Sequence, residues 1–292
     1  MRLLAKFNLL LFAVFALSMA VTGFIARSFL RQNAREQVIQ QARLMMSAAG
    51  GMRTYTSKQV GPLLAEYEGK DNAFARQRVP AYSATEVFSY LRQDHPAYTY
   101  KEATLNPTNL RDRALDWEAD VVETFRNHPD QQEIIGERET PEGPSLFLAR
   151  PMAAKPDCLV CHSIPARAPA PMLATYGPDH GFGWNANEVV AAQIVSVPTS
   201  VSVGMADRAF KTLLISLAGV FVLTLVLLDL GLTLVVIRPV TRISRIADDI
   251  SKGNLNVPEI PVRGSDEIAQ LAQSFNRMYV SLVKALRMLE TE

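Results

Sequence analysis

Two long apolar segments constrain the fold of this 292-residue chain more than any other feature. Residues 7–26 carry no charge, and residues 213–237 carry a single one, at Asp229. Each segment is long enough to cross a bilayer as an α-helix, in which the backbone polar groups are satisfied internally. The sequence therefore predicts two transmembrane helices, with one domain between them and another after the second.

The first apolar segment also resembles a secretory signal peptide, because Ser18-Met19-Ala20 has the small residues of a cleavage site. However, the segment is longer than the apolar core of a usual signal peptide, and its helical pattern continues past Ala20 to Leu30. We therefore expect residues 1–28 to remain as an uncleaved transmembrane anchor.

Both cysteines of the chain lie in one pentapeptide, Cys158-Leu-Val-Cys161-His162. This spacing is that of a c-type haem attachment site, in which the two thiols form thioethers with the haem and the histidine is the proximal iron ligand. A redox dithiol would need a βαβ setting, zinc would need a fourth ligand from elsewhere, and a disulfide across two residues would be strained. We therefore predict one covalently attached haem c, bound by Cys158, Cys161 and His162.

The second axial ligand of the iron has several candidates. Met45 and Met52 share the inward face predicted for the first helix after the membrane, and a thioether sulfur is an ordinary haem ligand. A methionine on such a face is also common core filling. His180 is the best placed of the other histidines, because it enters an aromatic loop near the motif. Alternatively, the sixth position of the iron is open or holds water, which would favour gas sensing. Met52 or Met45 is thus a candidate distal ligand.

Between the spans, short strands alternate with helices. A helical pattern continues from the first span to about residue 60. Residues 66–78 are expected to form a loop, and Asn106-Pro-Thr-Asn109 a turn whose side chains bond their own backbone. Strands are predicted at residues 98–105, 133–137, 145–149 and 189–198, and further helices at residues 85–92 and 112–127. This mixture predicts an α+β domain with a mainly antiparallel sheet.

After the second span the pattern is purely helical. Gly253-Asn-Leu255 ends a first amphipathic helix, and residues 254–264 form an extended connector. Apolar residues then repeat at spacings of three and four, at Ile268, Leu271, Phe275, Met278, Leu282, Ala285 and Leu289. Two such helices cannot bury their apolar faces alone, so a dimeric four-helix bundle is expected.

This last segment resembles a HAMP linker, the module that joins a transmembrane helix to cytoplasmic output in bacterial receptors. The matching features are Arg238-Pro239 directly after the span, Gly253-Asn-Leu255, and Asp266-Glu-Ile-Ala269. The resemblance implies a parallel homodimer that carries a signal as a change of helix packing.

The segment between the spans, over about residues 30 to 205, resembles the family of periplasmic c-type haem sensor domains with a PAS-like fold. In some relatives a cysteine supplies the second axial ligand, but this chain has no third cysteine, so that ligand differs or is absent. The residues that carry the resemblance keep their order along the chain: Tyr100 to Asn109, Cys158 to His162 with Ser163 and Pro165, Tyr176-Gly177, Gly181 to Trp184, and Ile194 to Pro198.

Haem attachment normally takes place outside the inner membrane, so the domain between the spans is expected in the periplasm. Arg238, Arg242 and Arg245 follow the second span and suit the cytoplasm. Arginines also follow the first span, so charge alone does not settle the orientation. The expected domains are the anchor at 1–28, the haem domain at 29–210, the second span at 212–237 and the HAMP-like segment at 238–290.

The net charge of +1 argues against a nucleic-acid surface, and the sequence contains no motif of an enzyme. We expect a membrane-bound, homodimeric haem c sensor of redox state or of a gas. It would receive its cofactor from the haem attachment machinery and signal through the HAMP-like segment to a separate cytoplasmic protein. The alternative is a membrane-anchored c-type cytochrome for electron transfer, whose helical tail dimerises or docks the protein.

Overall fold

The computed structural model describes residues 3–65 and 74–289. Most of the predicted loop at residues 66–78 therefore lies outside the described residues, as do residues 290–292 and the side chain of Leu289. The chain divides into two compact units, of which one is Ile25–Phe210 and the other combines Met1–Phe24 with Lys211–Glu292.

Helices and strands are interspersed along the chain. In order, they are α1 (Leu3–Tyr55), α2 (Gly61–Ala65), α3 (Pro80–Asp94), β1 (Thr99–Thr104), α4 (Asp116–Asn127), β2 (Ile134–Thr140), β3 (Gly143–Ala153), α5 (Leu159–His162), α6 (Ala170–Tyr176), β4 (Val189–Pro198), α7 (Ser200–Leu232), α8 (Arg238–Ser251) and α9 (Glu267–Leu289).

The unit Ile25–Phe210 is built on a four-stranded antiparallel sheet in the order β1-β4-β3-β2. The strand β4 lies between β1 and β3, with Val195 opposite both Tyr100 and Leu148. Because both faces of β4 are covered, its residues form a nearly continuous apolar run, and its predicted bounds were correct. The predicted α+β fold with a mainly antiparallel sheet is confirmed.

Helices cover both faces of the sheet. On one face, α1 and α3 pack against β1, β3 and β4, and Val38, Ala42 and Ala49 of α1 are buried there. On the other face, α4 packs Val122 and Phe125 against the sheet. These two clusters form the core that supports the strands.

The buried face of α1 differs slightly from the prediction. Met46, which was not predicted to face inward, is 3% exposed, whereas Met45 and Met52 are partly buried at the edge of the same cluster. Adjacent helical residues are about 100° apart, so Met45 and Met46 cannot both lie at the centre of one buried face.

Two long helices widen directly before a proline. Residues Thr56–Val60 and Thr233–Ile237 are π-helical, and Pro62 and Pro239 follow them. Proline has no N–H group, and its ring clashes with the carbonyl four residues earlier, which lies inside the π-helical turn in both cases. The wider turn accommodates the proline without ending the helix.

The other unit contains two helices that are long and apolar enough to cross a membrane, judged by length and composition. The first turns of α1 pack against α7, where Phe15 stacks on Phe221 with 3.8 Å between ring centroids. The two candidate membrane helices expected from the sequence are therefore present.

The helices α8 and α9 form a small cluster around Ile243, Ile246 and Ala272. Asp266 caps α9, because its Oδ1 accepts a hydrogen bond of 2.8 Å from the Ala269 N–H. Several residues of the predicted heptad pattern are exposed in the single chain, namely Leu271, Met278, Leu282 and Ala285.

Candidate functional site

The two cysteines lie on one short helical turn. A 3₁₀ turn at Pro156–Cys158 leads directly into α5. The Ser163 N–H ends α5 by donating a hydrogen bond of 3.2 Å to the Leu159 carbonyl. Residues three apart on a helix face the same side, so the half-buried thiols of Cys158 and Cys161 are presented together. Neither cysteine forms a disulfide bond with another described residue, as attachment of a haem would require.

The imidazole of His162 has one nitrogen already committed. Its Nδ1 lies 2.7 Å from the carbonyl oxygen of Gly181. A carbonyl only accepts, so this hydrogen bond assigns the proton to Nδ1 and leaves the lone pair of Nε2 free. Burial lowers the pKa of His162, against the opposing effect of the Gly181 hydrogen bond, and so favours the neutral ring. Neutral imidazole with its second nitrogen anchored is the form that ligates a metal.

A loop of residues 181–184 holds this histidine in place. The ring of Trp184 stacks on His162 with 4.1 Å between centroids and 13° between planes. The backbone N–H groups of Gly183 and Trp184 donate to the carbonyls of Ser163 and His162, over 2.9 Å and 3.2 Å. The orientation of the imidazole is therefore set by both stacking and backbone hydrogen bonds.

Asn106 positions the loop, which the sequence did not predict. Its Oδ1 accepts from the Gly181 N–H at 3.1 Å, and its Nδ2 donates to the Phe182 carbonyl at 3.2 Å. Only the other end of the predicted turn behaves as expected, because Asn109 bonds the nearby Arg111 N–H. The prediction of a self-contained turn was thus wrong for Asn106.

Gly181 is the residue in this loop that tolerates no side chain. Its φ of +83° lies in the left-handed region, and an added Cβ would stand 2.0 Å from Oγ1 and 2.8 Å from Cα of Thr108. Gly183 has the same φ of +83°, yet nothing lies within 4 Å of its added Cβ. The two glycines therefore separate backbone strain from steric clash.

We expect Gly181→Ala to destabilise the domain by about 3 kcal/mol and Gly183→Ala by only about 1 kcal/mol. Both variants are strained by the positive φ, but only the first must also displace Thr108 and the carbonyl that anchors His162. Urea unfolding followed by tryptophan fluorescence measures the difference, because both tryptophans, Trp117 and Trp184, lie in the unit Ile25–Phe210. Equal losses for the two variants would contradict the steric argument.

A buried charged network lies on the sheet, close to the cysteine turn. The Glu102 carboxylate, 3% exposed, is paired with Nη1 of Arg53 from α1. It also accepts a 2.7 Å hydrogen bond from the Tyr100 hydroxyl, which in turn accepts from Gln193 at 3.0 Å. Burial and the neighbouring carboxylate raise the pKa of Tyr100, so its phenol keeps its proton.

The network brings α1 close to the cysteine turn. Burial by itself lowers the pKa of Arg53, but the interactions with Glu102, Tyr100 and Cys158 together outweigh it, so the net pKa is raised. The sequence held one signal for this site. Tyr100, Glu102 and Thr104 alternate along β1, which places the glutamate on the same face as a tyrosine that is buried.

The predicted distal ligands are not brought to His162 by any contact in residues 3–65 and 74–289. Met45 and Met52 contact the core beneath α1, whereas His162 contacts Gly181 and Trp184. In the same described ranges, no three His, Cys, Asp or Glu side chains gather as a set of metal-ion ligands. A haem iron needs only one or two protein ligands, so His162 meets that requirement by itself.

Asp112 is a partly buried carboxyl group near this network. Burial raises its pKa to about 6; Arg111 opposes the shift, and the negative charge of Glu102 adds to it. Between about pH 4 and pH 6, the folded state therefore holds a proton on Asp112 that the unfolded state has lost. The stabilisation from this proton is fully present below about pH 4 and is lost as the pH rises through about 6.

We therefore expect Asp112→Asn to stabilise the domain by about 1–2 kcal/mol at pH 7 and to have little effect at pH 4. The full linkage is larger, but partial exposure and the lost Arg111 pair reduce it. Urea unfolding at the two pH values tests this, with the exposed Asp120→Asn as control. Equal effects of Asp112→Asn at both pH values would refute the assignment.

Fold and site together define a class of protein, a haem sensor-like domain between two candidate membrane helices with a HAMP segment after the second. Residues 31–198 match the Tll0287-like family model, and residues 231–284 match the HAMP domain. The first match covers more than half of the chain, which therefore belongs to the Tll0287-like family and carries a HAMP domain. Both resemblances seen in the sequence are confirmed.

One curated relative is the methyl-accepting chemotaxis protein CtpM of Pseudomonas aeruginosa, which is 26% identical over 292 residues. The match covers 95% of this chain and 49% of CtpM, so the chain spans about half the length of that relative. The crystal structure of the cyanobacterial heme-protein Tll0287 is similar over 55% of this chain and 94% of that one, with 14% identity and a TM-score of 0.42.

Proposed function

We propose that this chain is a membrane-bound sensor that carries one haem c, with thioether bonds at Cys158 and Cys161 and His162 as the proximal iron ligand. The observation that carries the proposal is the His162–Gly181 hydrogen bond, which leaves Nε2 free beside two thiols on one helical turn. The family of the chain supports haem binding, and its HAMP domain supports signalling.

The residues of the chain orient the cofactor and link it to the helices. When bound, the haem supplies an iron centre that changes charge on reduction or accepts a small ligand. His162 would hold the iron, Asn106 and Trp184 would fix the histidine, and Met52 or Met45 stays the candidate for the distal position. The two iron states can produce a signal only if the surrounding protein binds them with different free energy.

Two covalent routes lead from the site to the spans. Arg53, near the cysteine turn, belongs to the same helix as the first apolar segment. On the other side, the central strand β4 ends at Pro198, and only Thr199 separates it from α7. Thr199 donates two hydrogen bonds to the Pro144 carbonyl, one from its N–H at 3.0 Å and one from its Oγ1 at 2.9 Å. A displacement of β4 would therefore be transmitted almost directly to the start of α7.

Dimerisation through the HAMP segment belongs to the same proposal. The exposed apolar residues of α9 would be buried against a second copy in a four-helix bundle. We place the haem domain, residues 29–210, in the periplasm and residues 238–290 in the cytoplasm, with spans at 1–28 and 212–237 in the inner membrane. The similarity to a chemotaxis receptor supports a non-enzymatic protein that signals to a cytoplasmic partner, and the stimulus would be redox state or a gas.

Two measurements test the proposal. Purified protein from a host that assembles c-type cytochromes should show a haem spectrum that persists after denaturation and acid–acetone extraction. Disulfide cross-linking between cysteines introduced along α7 should then differ between oxidised and reduced membranes. A covalent haem with identical cross-linking in both states would contradict the sensor and favour the electron-transfer cytochrome.

A further inference from the structure

A polar pair lies between the two apolar segments. Asn8 of α1 donates a hydrogen bond from Nδ2 to Oδ2 of Asp229 in α7, over 3.0 Å. The two helices run antiparallel here, because Phe15, seven residues after Asn8, stacks on Phe221, eight residues before Asp229. The aspartate that stood out in the sequence therefore has a partner in the opposite span.

One oxygen of each side chain has no hydrogen-bond partner among the described residues. Oδ1 of Asn8 and Oδ1 of Asp229 are both buried and accept no hydrogen bond among the described residues. An amide and an ionised carboxylate leave this arrangement incomplete, because both unpaired atoms are acceptors. A proton on Oδ1 of Asp229 turns one of them into a donor, and the pair then closes with an N–H···O and an O–H···O bond.

No cation among the described residues of the two spans compensates a negative charge at this position. In residues 4–24 and 213–237, the one charged residue besides Asp229 is Lys6. Lys6 lies two residues before Asn8, about 200° around the helix, and its side chain is exposed. An uncompensated carboxylate in hydrocarbon is costly, as is an unsatisfied polar atom. Protonation removes both costs at once.

We propose that Asp229 takes up a proton from the aqueous phase and that its neutral carboxyl group forms a two-point hydrogen-bonded pair with Asn8 inside the bilayer. The inference rests on the membrane placement of the two helices in the proposed function, and it is independent of the haem. Because Asp229 precedes Arg238 by nine residues, about 13 Å along the helix, the pair joins the spans close to the HAMP segment. A slide of α7 along α1 by one residue would break both hydrogen bonds.

Infrared difference spectra of the full-length protein in membranes test the pair. At a pH of about 8, where ordinary carboxyl groups are ionised, the wild type minus Asp229→Asn difference should contain the carbonyl band of one protonated acid. Asn8→Leu should shift that band to higher frequency, since the acid carbonyl loses its hydrogen bond. Ser18→Ala, a polar-to-apolar change elsewhere in the same span, should leave it in place.

The outcomes distinguish the proton site from the membrane placement. An ionised carboxylate signal in place of the acid band would overturn the proton site while the membrane placement stands. An acid band that Asn8→Leu does not move would overturn the pairing. Should Asp229→Asn fail to accumulate, the Asn8→Leu shift against wild type still decides the question. Release of the wild type from membranes by alkaline carbonate would overturn the membrane placement itself.

Discussion

Replacing both Cys158 and Cys161 by alanine should abolish covalent haem attachment completely. After denaturation and acid–acetone extraction the wild type should keep its absorbance in the visible range, and the double variant should keep none. Each single variant retains one thiol and can form at most one thioether, so it should retain a reduced amount of haem with a shifted spectrum. We expect complete loss because the two thiols on this helical turn are the only cysteines of the sequence, so no other thiol can form a thioether.

Val160→Ala is the matched control for this experiment. Val160 lies between the two cysteines and is 62% exposed, so its loss leaves the spacing and the core unchanged. We expect this variant to bind haem as the wild type does. Haem that stays bound to the double alanine variant after extraction would show that thioethers do not hold it, and the assignment of haem c would fail.

The parts of the site that the sequence predicted are local in the chain. The spacing of Cys158, Cys161 and His162 is a property of five consecutive residues, and a helical turn is enough to bring them together. The strand β4 was equally visible, because a strand covered on both faces needs an unbroken apolar run. Such features depend only on residues that are close in the sequence, so they can be predicted without knowing the fold.

The parts that the sequence missed depend on distant partners. Asn106 has the residue type of a turn and was expected to bond its own backbone, but its partners lie 75 and 76 residues later. The alternation along β1 places Glu102 on the same face as the buried Tyr100. However, the arginine that compensates its buried charge comes from α1, 49 residues earlier. Side-chain type limits what can bond, while the fold alone determines which group arrives within reach.

Helical faces were predicted with limited angular precision. Leu44, Met45 and Met46 are consecutive and all apolar, but Met46 is buried, Met45 is at the edge and Leu44 is 71% exposed. Periodicity averages over a whole helix and does not separate neighbours that are about 100° apart. A periodic pattern therefore predicts that an amphipathic helix exists, but it does not identify which methionine on that helix is a distal ligand.

Replacing Arg53 by methionine should destabilise the haem domain by about 3–5 kcal/mol. The substitution keeps most of the volume of the side chain but leaves the Glu102 carboxylate, 3% exposed, without its cation. The cost is that of a buried charge without compensation, and the Tyr100 hydroxyl alone cannot offset it. Urea unfolding followed by tryptophan fluorescence measures the loss.

Arg35→Met is the matched control, because Arg35 also projects from α1 onto a glutamate of the sheet. Its 3.0 Å pair with Glu137 is 53% and 59% exposed, so water solvates either charge when the other is removed. We expect a loss below about 1 kcal/mol. Similar losses for the two variants would show that the burial of Glu102 has no special energetic consequence.

The double variant Arg53→Met with Glu102→Leu separates the value of the ion pair from the penalty of breaking it. When both charges are absent, nothing charged remains to be desolvated, so the double variant should be more stable than Arg53→Met alone. Some loss should persist, because the Tyr100 hydroxyl then has no acceptor in Glu102. If the double variant were instead less stable than Arg53→Met, an uncompensated Glu102 carboxylate would carry no burial penalty, and the argument for a costly buried charge would fail.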